Sequence, residues 1–267
     1  MRKPIAAEQV AQLVQGSRKY AQIDAALVAT LSRNEGAKAT NEKDAAKRVK
    51  RKLHQMVGAY LDAEMPFGEW LERLRSASDA AARAELCKEL LLQHASTRER
   101  VAELQEIYDF IFAAPLPQTV LDLACGLNPL GRAFMPLPAQ TQYLAADVHR
   151  GLIDFLNDAF ALFGVTGRAF THDLLSGPPA VSADMVLLLK ALPCLEQADR
   201  ACGRSLLSAL QAPLVVVSFP TASLGGRKRG MERFYQQRFL EALPAQWSAP
   251  EMHAFASELV FKLRRLP

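Results

Sequence analysis

A chain of 267 residues, half of them hydrophobic, can bury one large core or two modest ones. No stretch of it approaches the roughly 20 uninterrupted apolar residues of a membrane span. A formal net charge of +4 does not by itself point to nucleic acid, but its distribution does.

From the start, MRKPIAAEQVAQ carries charge with no apolar run behind it, which argues against a secretory leader. Between Lys38 and Lys52 stand seven basic residues, Lys38, Lys43, Lys47, Arg48, Lys50, Arg51 and Lys52, against Glu42 and Asp44. In the same region Val49, Leu53, Met56, Val57 and Tyr60 recur at helical spacing, so the spacing predicts a helix with one apolar stripe. Thr40 or Asn41 can cap it, and Lys43, Lys47, Lys50 and Arg51 are left for solvent or phosphate. A further helix is expected to open at Ser96-Thr97-Arg98-Glu99, a capping-box spelling, and to bury Val101, Leu104, Tyr108, Ile111 and Phe112. Arg98 and Arg100 sit in its first turn, where the helix dipole disfavours cations. Either a ligand anion or Glu103 can relieve that conflict.

Pro115 and Pro117 end the helical part, and the expected division is a helical domain over 1–112 followed by an α/β domain over 113–267. Strands are predicted over Thr119–Ala124, Tyr143–Ala146, Arg168–Thr171, Met185–Leu189 and Leu214–Phe219, with Glu258–Leu263 as a final strand. Helices are predicted over Leu152–Phe163 and Arg200–Leu210. Alternation of strand and helix implies a Rossmann-like parallel sheet with both faces covered. A second basic cluster, Arg227, Lys228 and Arg229, follows two glycines and is joined by Arg233 and Arg238.

The first strand runs into LDLACGLNPL, with Asp122 and Gly126 on either side of the turn. A pyrophosphate needs several glycines for close backbone approach. A single glycine turn suits a nucleoside ligand without phosphate, such as S-adenosyl-L-methionine. Asp147 follows Gly126 by 21 positions, at the end of the second strand, where a carboxylate can grip ribose hydroxyls. Asp173 ends the third strand and can accept from an adenine amino group, with Leu174 against the ring. The cysteines and histidines show no metal-ligand spacing, so no metal is expected. The cysteines read as reduced thiols of a cytoplasmic protein, and Cys125 as a small turn filler.

Residues from about His94 onward resemble the aminoglycoside-resistance 16S ribosomal RNA guanine-N7 methyltransferases of the Arm/Rmt family. The motifs that carry this are HASTRER at 94–100, LDLACGLNPL at 121–130, ADVHRGL at 146–152, KALPCLE at 190–196, SFPTASLGGRKRGM at 218–231 and ELVF at 258–261. The resemblance implies methylation of guanine 1405 at N7 in the assembled small (30S) ribosomal subunit, with S-adenosyl-L-methionine as donor and S-adenosyl-L-homocysteine as product. It places Arg100 on the methionine carboxylate, with His94, Ala95 and Ser96 at the same end. Gly126, Asp147, Asp173, Leu174 and Leu189 hold the remainder of the cofactor, and Tyr60 of a Gly-Ala-Tyr triplet reaches it. Lys190, Glu196 and Glu258 fall beside cofactor and target. Ser218, Phe219, Pro220 and Thr221 form the floor of the guanine pocket, and Arg227, Lys228 and Arg229 contact RNA phosphates. The first 40 residues match least well, so their docking role rests on domain order.

Guanine N7 has a lone pair and no proton, so this chemistry needs no general base. Positioning and charge stabilisation suffice. A guanine inside an RNA helix must be exposed or flipped, which costs a few kcal/mol. Other readings of the same sequence are a small-molecule methyltransferase, an adenine-N1 methyltransferase and a non-catalytic subunit-binding factor. The basic helix and the GGRKRG segment argue against the first. A monomer is expected, given so large a partner.

Overall fold

The computed structural model describes residues 5–61, 65–113, 115–221 and 231–267, without the side chains of 58–61, 231 and 232. The N-terminal part consists of helices α1 (Ala7–Gln15), α2 (Ala25–Gly36), α3 (Glu42–Leu61), α4 (Phe67–Arg75), α5 (Ala80–Leu91), α6 (Ala95–Arg98) and α7 (Leu104–Ile111). Polar side chains start several of them. Asp24 accepts from the amides of Ala26 and Leu27 at α2, and Asp79 from Ala82 at α5. At α3 Asn41 accepts from the Asp44 amide at 2.9 Å, and Asp44 reaches back past it to accept from the Thr40 amide at 3.0 Å. Val49, Leu53 and Met56 are buried as the stripe predicts, and Lys43, Lys47 and Arg51 stay exposed, with Lys50 half-buried.

The sheet holds β1 (Thr119–Leu123), β2 (Gln142–Asp147), β3 (Gly167–Thr171), β4 (Met185–Leu189), β5 (Leu214–Pro220), β6 (Glu251–Ala254) and β7 (Glu258–Arg264). Its order is β3-β2-β1-β4-β5-β7-β6, with β1 to β5 parallel and β7 antiparallel to both neighbours. Helices α8 (Arg150–Phe163), α9 (Leu192–Ala198), α10 (Cys202–Ala209) and α11 (Met231–Ala242) complete the chain. His149 Nδ1 caps α8 by accepting from the Leu152 amide, and Gly164 ends it in the left-handed region.

Strand side chains alternate between two cores, as the pleat requires. Leu121, Leu123, Val186 and Leu188 pack with Val10, Leu27, Val49 and Leu53 of α1 to α3, and with Leu206 and Phe239. Val120, Tyr143, Leu187 and Val216 pack with Trp70, Leu74, Leu90 and Ile107 of the later N-terminal helices, and with Phe155 of α8. The N-terminal helices therefore clasp both faces of the sheet.

Two local expectations differ. The helix expected to open at Ser96 is broken into the four-residue α6, a 3-10 turn over Val101–Glu103, and α7. Its capping box does not form, because each member is engaged elsewhere. Ser96 Oγ lies 2.7 Å from His94 Nδ1, and Glu99 binds Lys190. Glu103 caps the turn before β7, accepting from the amides of Ala256 and Ser257. The edge strand β6 was not anticipated; all four of its residues are exposed, so it has no apolar alternation to reveal it.

Candidate active site

β1 and β4 lie side by side, and the chain leaves them toward opposite halves of the sheet. Such a switch point at the carboxyl ends of parallel strands is where α/β sheets bind ligands. Here the backbone is strained on both sides: Ala124 and Lys190 have φ of 52° and 57°, rare for residues with side chains. Gly126 shares the left-handed region at φ 51°, and a Cβ there would stand 2.6 Å from His94 Cε1. Only glycine lets the turn and the imidazole come together.

A cleft of about 980 Å3, open mouth included, occupies this crest. Asp147 and Asp173 stand in its wall together with Gly126, His94, Ser96, Leu174, Leu189 and Lys190. The Asp147 carboxylate accepts from the amides of Gly126 at 3.0 Å, Val148 at 2.7 Å and His149 at 3.2 Å. Desolvation in the cleft holds its pKa above the ordinary value against those hydrogen bonds. Asp173 accepts from the hydroxyls of Thr30 and Ser176 and from the Leu175 amide. Burial, with the charges of Arg100 and Arg98, drives His94 down to about 3, so its ring is neutral at any physiological pH. Cys125 is pushed well above its ordinary pKa by burial and by Asp147, which leaves no thiolate for nucleophilic chemistry.

Behind the cleft lies a buried ionic network. Arg100 donates through Nε and Nη2 to Glu258 at 2.6 and 3.1 Å and through Nη1 to Asn128 Oδ1 at 2.6 Å. The pair is 1% and 0% exposed. Lys190 Nζ stands 2.9 Å from Glu99 and 3.5 Å from Glu258, and Ser218 Oγ donates to Glu258 at 2.7 Å. Burial opposes the charge of Glu258, yet Arg100 and Lys190 hold its pKa below the ordinary value. The Asn128 amide donates in turn to Asp122, which burial lifts to about 6.

Residues 16–261 match the model of the family described as ribosomal RNA methyltransferase (FmrO). The chain belongs to this family of ribosomal RNA methyltransferases. It is 41% identical over 97% of its length, and 94% of the relative's, to a 16S rRNA (guanine(1405)-N(7))-methyltransferase of Frankia casuarinae. An enzyme of the same name from Serratia marcescens is 35% identical over 93% of this chain and 94% of the relative. Among solved structures, the 16S rRNA methyltransferase RmtF in complex with S-adenosyl-L-homocysteine superposes with a TM-score of 0.83 at 32% identity, covering all of both chains. The methylase RmtB gives 0.81 at 29% identity, covering 99% of this chain and 100% of that one.

The methyltransferase does not gather every expected site residue around the cleft. Ala95 and Arg100 are not among the lining residues, and Glu196 pairs instead with Arg238 on α11 at 2.9 Å. Ser218 and Phe219 are buried at the end of β5, with Ser218 turned to Glu258 and Phe219 into the aromatic core, while Pro220 and Thr221 are half-buried beside them. Arg227, Lys228, Arg229 and the Tyr60 side chain lie outside the described residues. Sequence reasoning missed the wall given by the N-terminal part: Ile23, Leu27, Met56, Val57 and Phe67 all line the cleft. The segment before α2 is tied to the turn between β2 and α8, with the Asp24 amide donating to Val148 O at 2.7 Å and the Arg150 amide to Gln22 O at 2.8 Å. Met56 and Val57 were visible as stripe residues, but an apolar stripe does not say whether it meets a core or a ligand. Among the described residues no helix is long and apolar enough to cross a membrane, and no cluster is placed to hold a metal ion.

Proposed function

We propose that this protein transfers the methyl group of S-adenosyl-L-methionine to N7 of guanine 1405 in 16S rRNA of the small ribosomal subunit, in the cytoplasm and as a monomer. Bacteria carrying it become resistant to aminoglycosides of the gentamicin and kanamycin type. The observation that carries the reading is the cleft holding Asp147 and Asp173 at the switch point, in a chain whose relatives bear that activity in their names.

The residues present fit such a donor. Gly126 lets the turn close against the His94 ring in the cleft wall, and the cleft pairs apolar walls with two carboxylates. Asp147 would hold the ribose, Asp173 and Leu174 the adenine, and Leu189 the ring's other side. His94, Ser96 and Lys190 would hold the methionine end, with Arg100 a layer behind them. The donor supplies an activated methyl group, so the protein needs neither nucleophile nor base. What it contributes is alignment of the incoming N7 and a preorganised charge environment for the cationic product. Glu258 and Glu99, balanced against Arg100 and Lys190, provide fixed charges of both signs there. The exposed cations Lys43, Lys47 and Arg51 of α3, with Lys50 beside them, meet rRNA phosphates.

Purified protein incubated with labelled donor and intact small subunits is expected to place one methyl group on N7 of guanine 1405, mapped by cleavage at the modified base. Asp147→Ala should abolish transfer and weaken S-adenosyl-L-homocysteine binding in calorimetry. A mark on a neighbouring adenine, or binding to subunits with no mark, would overturn the assignment.

A further inference from the structure

Helix α11 follows the parallel strand β5, so its first turn starts at the carboxyl edge of the sheet, the edge that carries the cleft. In that turn Phe234 leaves 52% of its surface exposed. A single surface phenylalanine needs no explanation; this one is the outer end of an aromatic ladder. Phe234 meets Tyr235 edge-on at 5.7 Å, and Tyr235 stacks on Phe219 at 5.0 Å with 23° between the rings. Phe219 is held in turn by Phe239 at 5.2 Å and Phe261 at 5.9 Å. The ladder thus runs from the buried sheet to the surface and fixes the outer ring on a rigid stem.

The surroundings of Phe234 are cationic. The Arg238 guanidinium stands 5.9 Å from its ring and is braced by Glu196 on α9, and Arg233 beside it is exposed. The cleft is close: α9, to which Arg238 is tied through Glu196, also carries Cys194 and Leu195 of the cleft lining. On the other side of α9, Lys52 in the middle of the basic helix α3 donates to Gln197 O at 2.5 Å. Helices α3, α9 and α11 therefore stand in a row on one face of the sheet, carrying cations at both ends and a bare aromatic ring at the cleft side.

We propose that Phe234 is a stacking platform for a nucleobase of the rRNA that leaves its helix when the target guanine is exposed. This rests on the reading of the chain as an enzyme acting on guanine in helical rRNA. Unstacking a base costs a few kcal/mol. An aromatic face can return part of that cost, because base–aromatic stacking tolerates any base and flanking arginines hold the backbone.

The test compares Phe234→Ala, Phe234→Leu and Phe234→Trp in methylation of intact small subunits at saturating donor. The alanine and leucine variants should lose about ten- to a hundredfold in kcat/KM, and the tryptophan variant should keep wild-type efficiency. Binding of S-adenosyl-L-homocysteine should be unchanged in all three, and the salt dependence of subunit binding should keep its slope, because the ring neutralises no phosphate. A leucine variant as active as wild type would mean an apolar contact with a ribosomal protein and overturns the proposal, as does an alanine variant without loss. Failure of the wild-type protein to methylate subunits removes the underlying reading instead, and shows before any variant is made.

Discussion

Asp122 ends up where a charge is resisted. One of its oxygens accepts from Asn128 at 2.8 Å and Tyr143 at 2.8 Å, while Oδ1 is buried with no partner. Its folded pKa of about 6 lies above the ordinary carboxylate value near 3.9, so the folded state holds the proton more tightly than the unfolded chain. The stability this group contributes is present below the unfolded value and is lost as pH rises through about 6. Asp122→Asn removes the titration, so its melting temperature relative to wild type should rise between about pH 4 and pH 7 and stay level above that. An unchanged difference across that range would contradict the linkage. The sequence showed Asp122, Asp147 and Asp173 because each sits at a strand end in a countable spacing. It also exposed the misfit of Arg100 with a helix start. It did not show the answer, since Glu258 is 158 positions away and belongs to another element. Nor did it show that Glu196 serves Arg238, because a motif letter records a residue type and not which of two neighbours it meets.

Elements were legible where local chemistry decides them. β1, β4 and β5 are covered on both faces and read as continuous apolar runs. The start of α3 was legible to within one residue, Thr40 or Asn41, and it is Asn41 that accepts from the Asp44 amide. Asn41→Ala should lower stability by about 1 kcal/mol, a fall of roughly 2–4 °C in melting temperature for a chain of this size. Donor binding should be unaffected in the same protein. Elements decided by distant partners were not legible. The segment from Ser96 carries the letters of a capping box, yet Lys190, His94 and the turn before β7 claim its members. The long helix those letters promise is consequently broken into shorter pieces.

At the scale of the molecule, a sequence division at 112 and 113 describes composition better than it describes packing. The first helices supply one wall of the cleft through Ile23 and Leu27, and Thr30 donates to Asp173 at 2.8 Å. Deleting residues 1–40 should therefore abolish S-adenosyl-L-homocysteine binding as well as subunit recognition. A truncated protein that keeps the ligand's full affinity would confine this region to docking. The salt bridge joining Arg100 to Glu258 has a consequence in time. A polypeptide emerges from its first residue onward and folds as it appears, so the arginine waits uncompensated until the whole sheet and its returning strand have been made. The bridge can therefore close only once β7, the last strand of the sheet in chain order, is available.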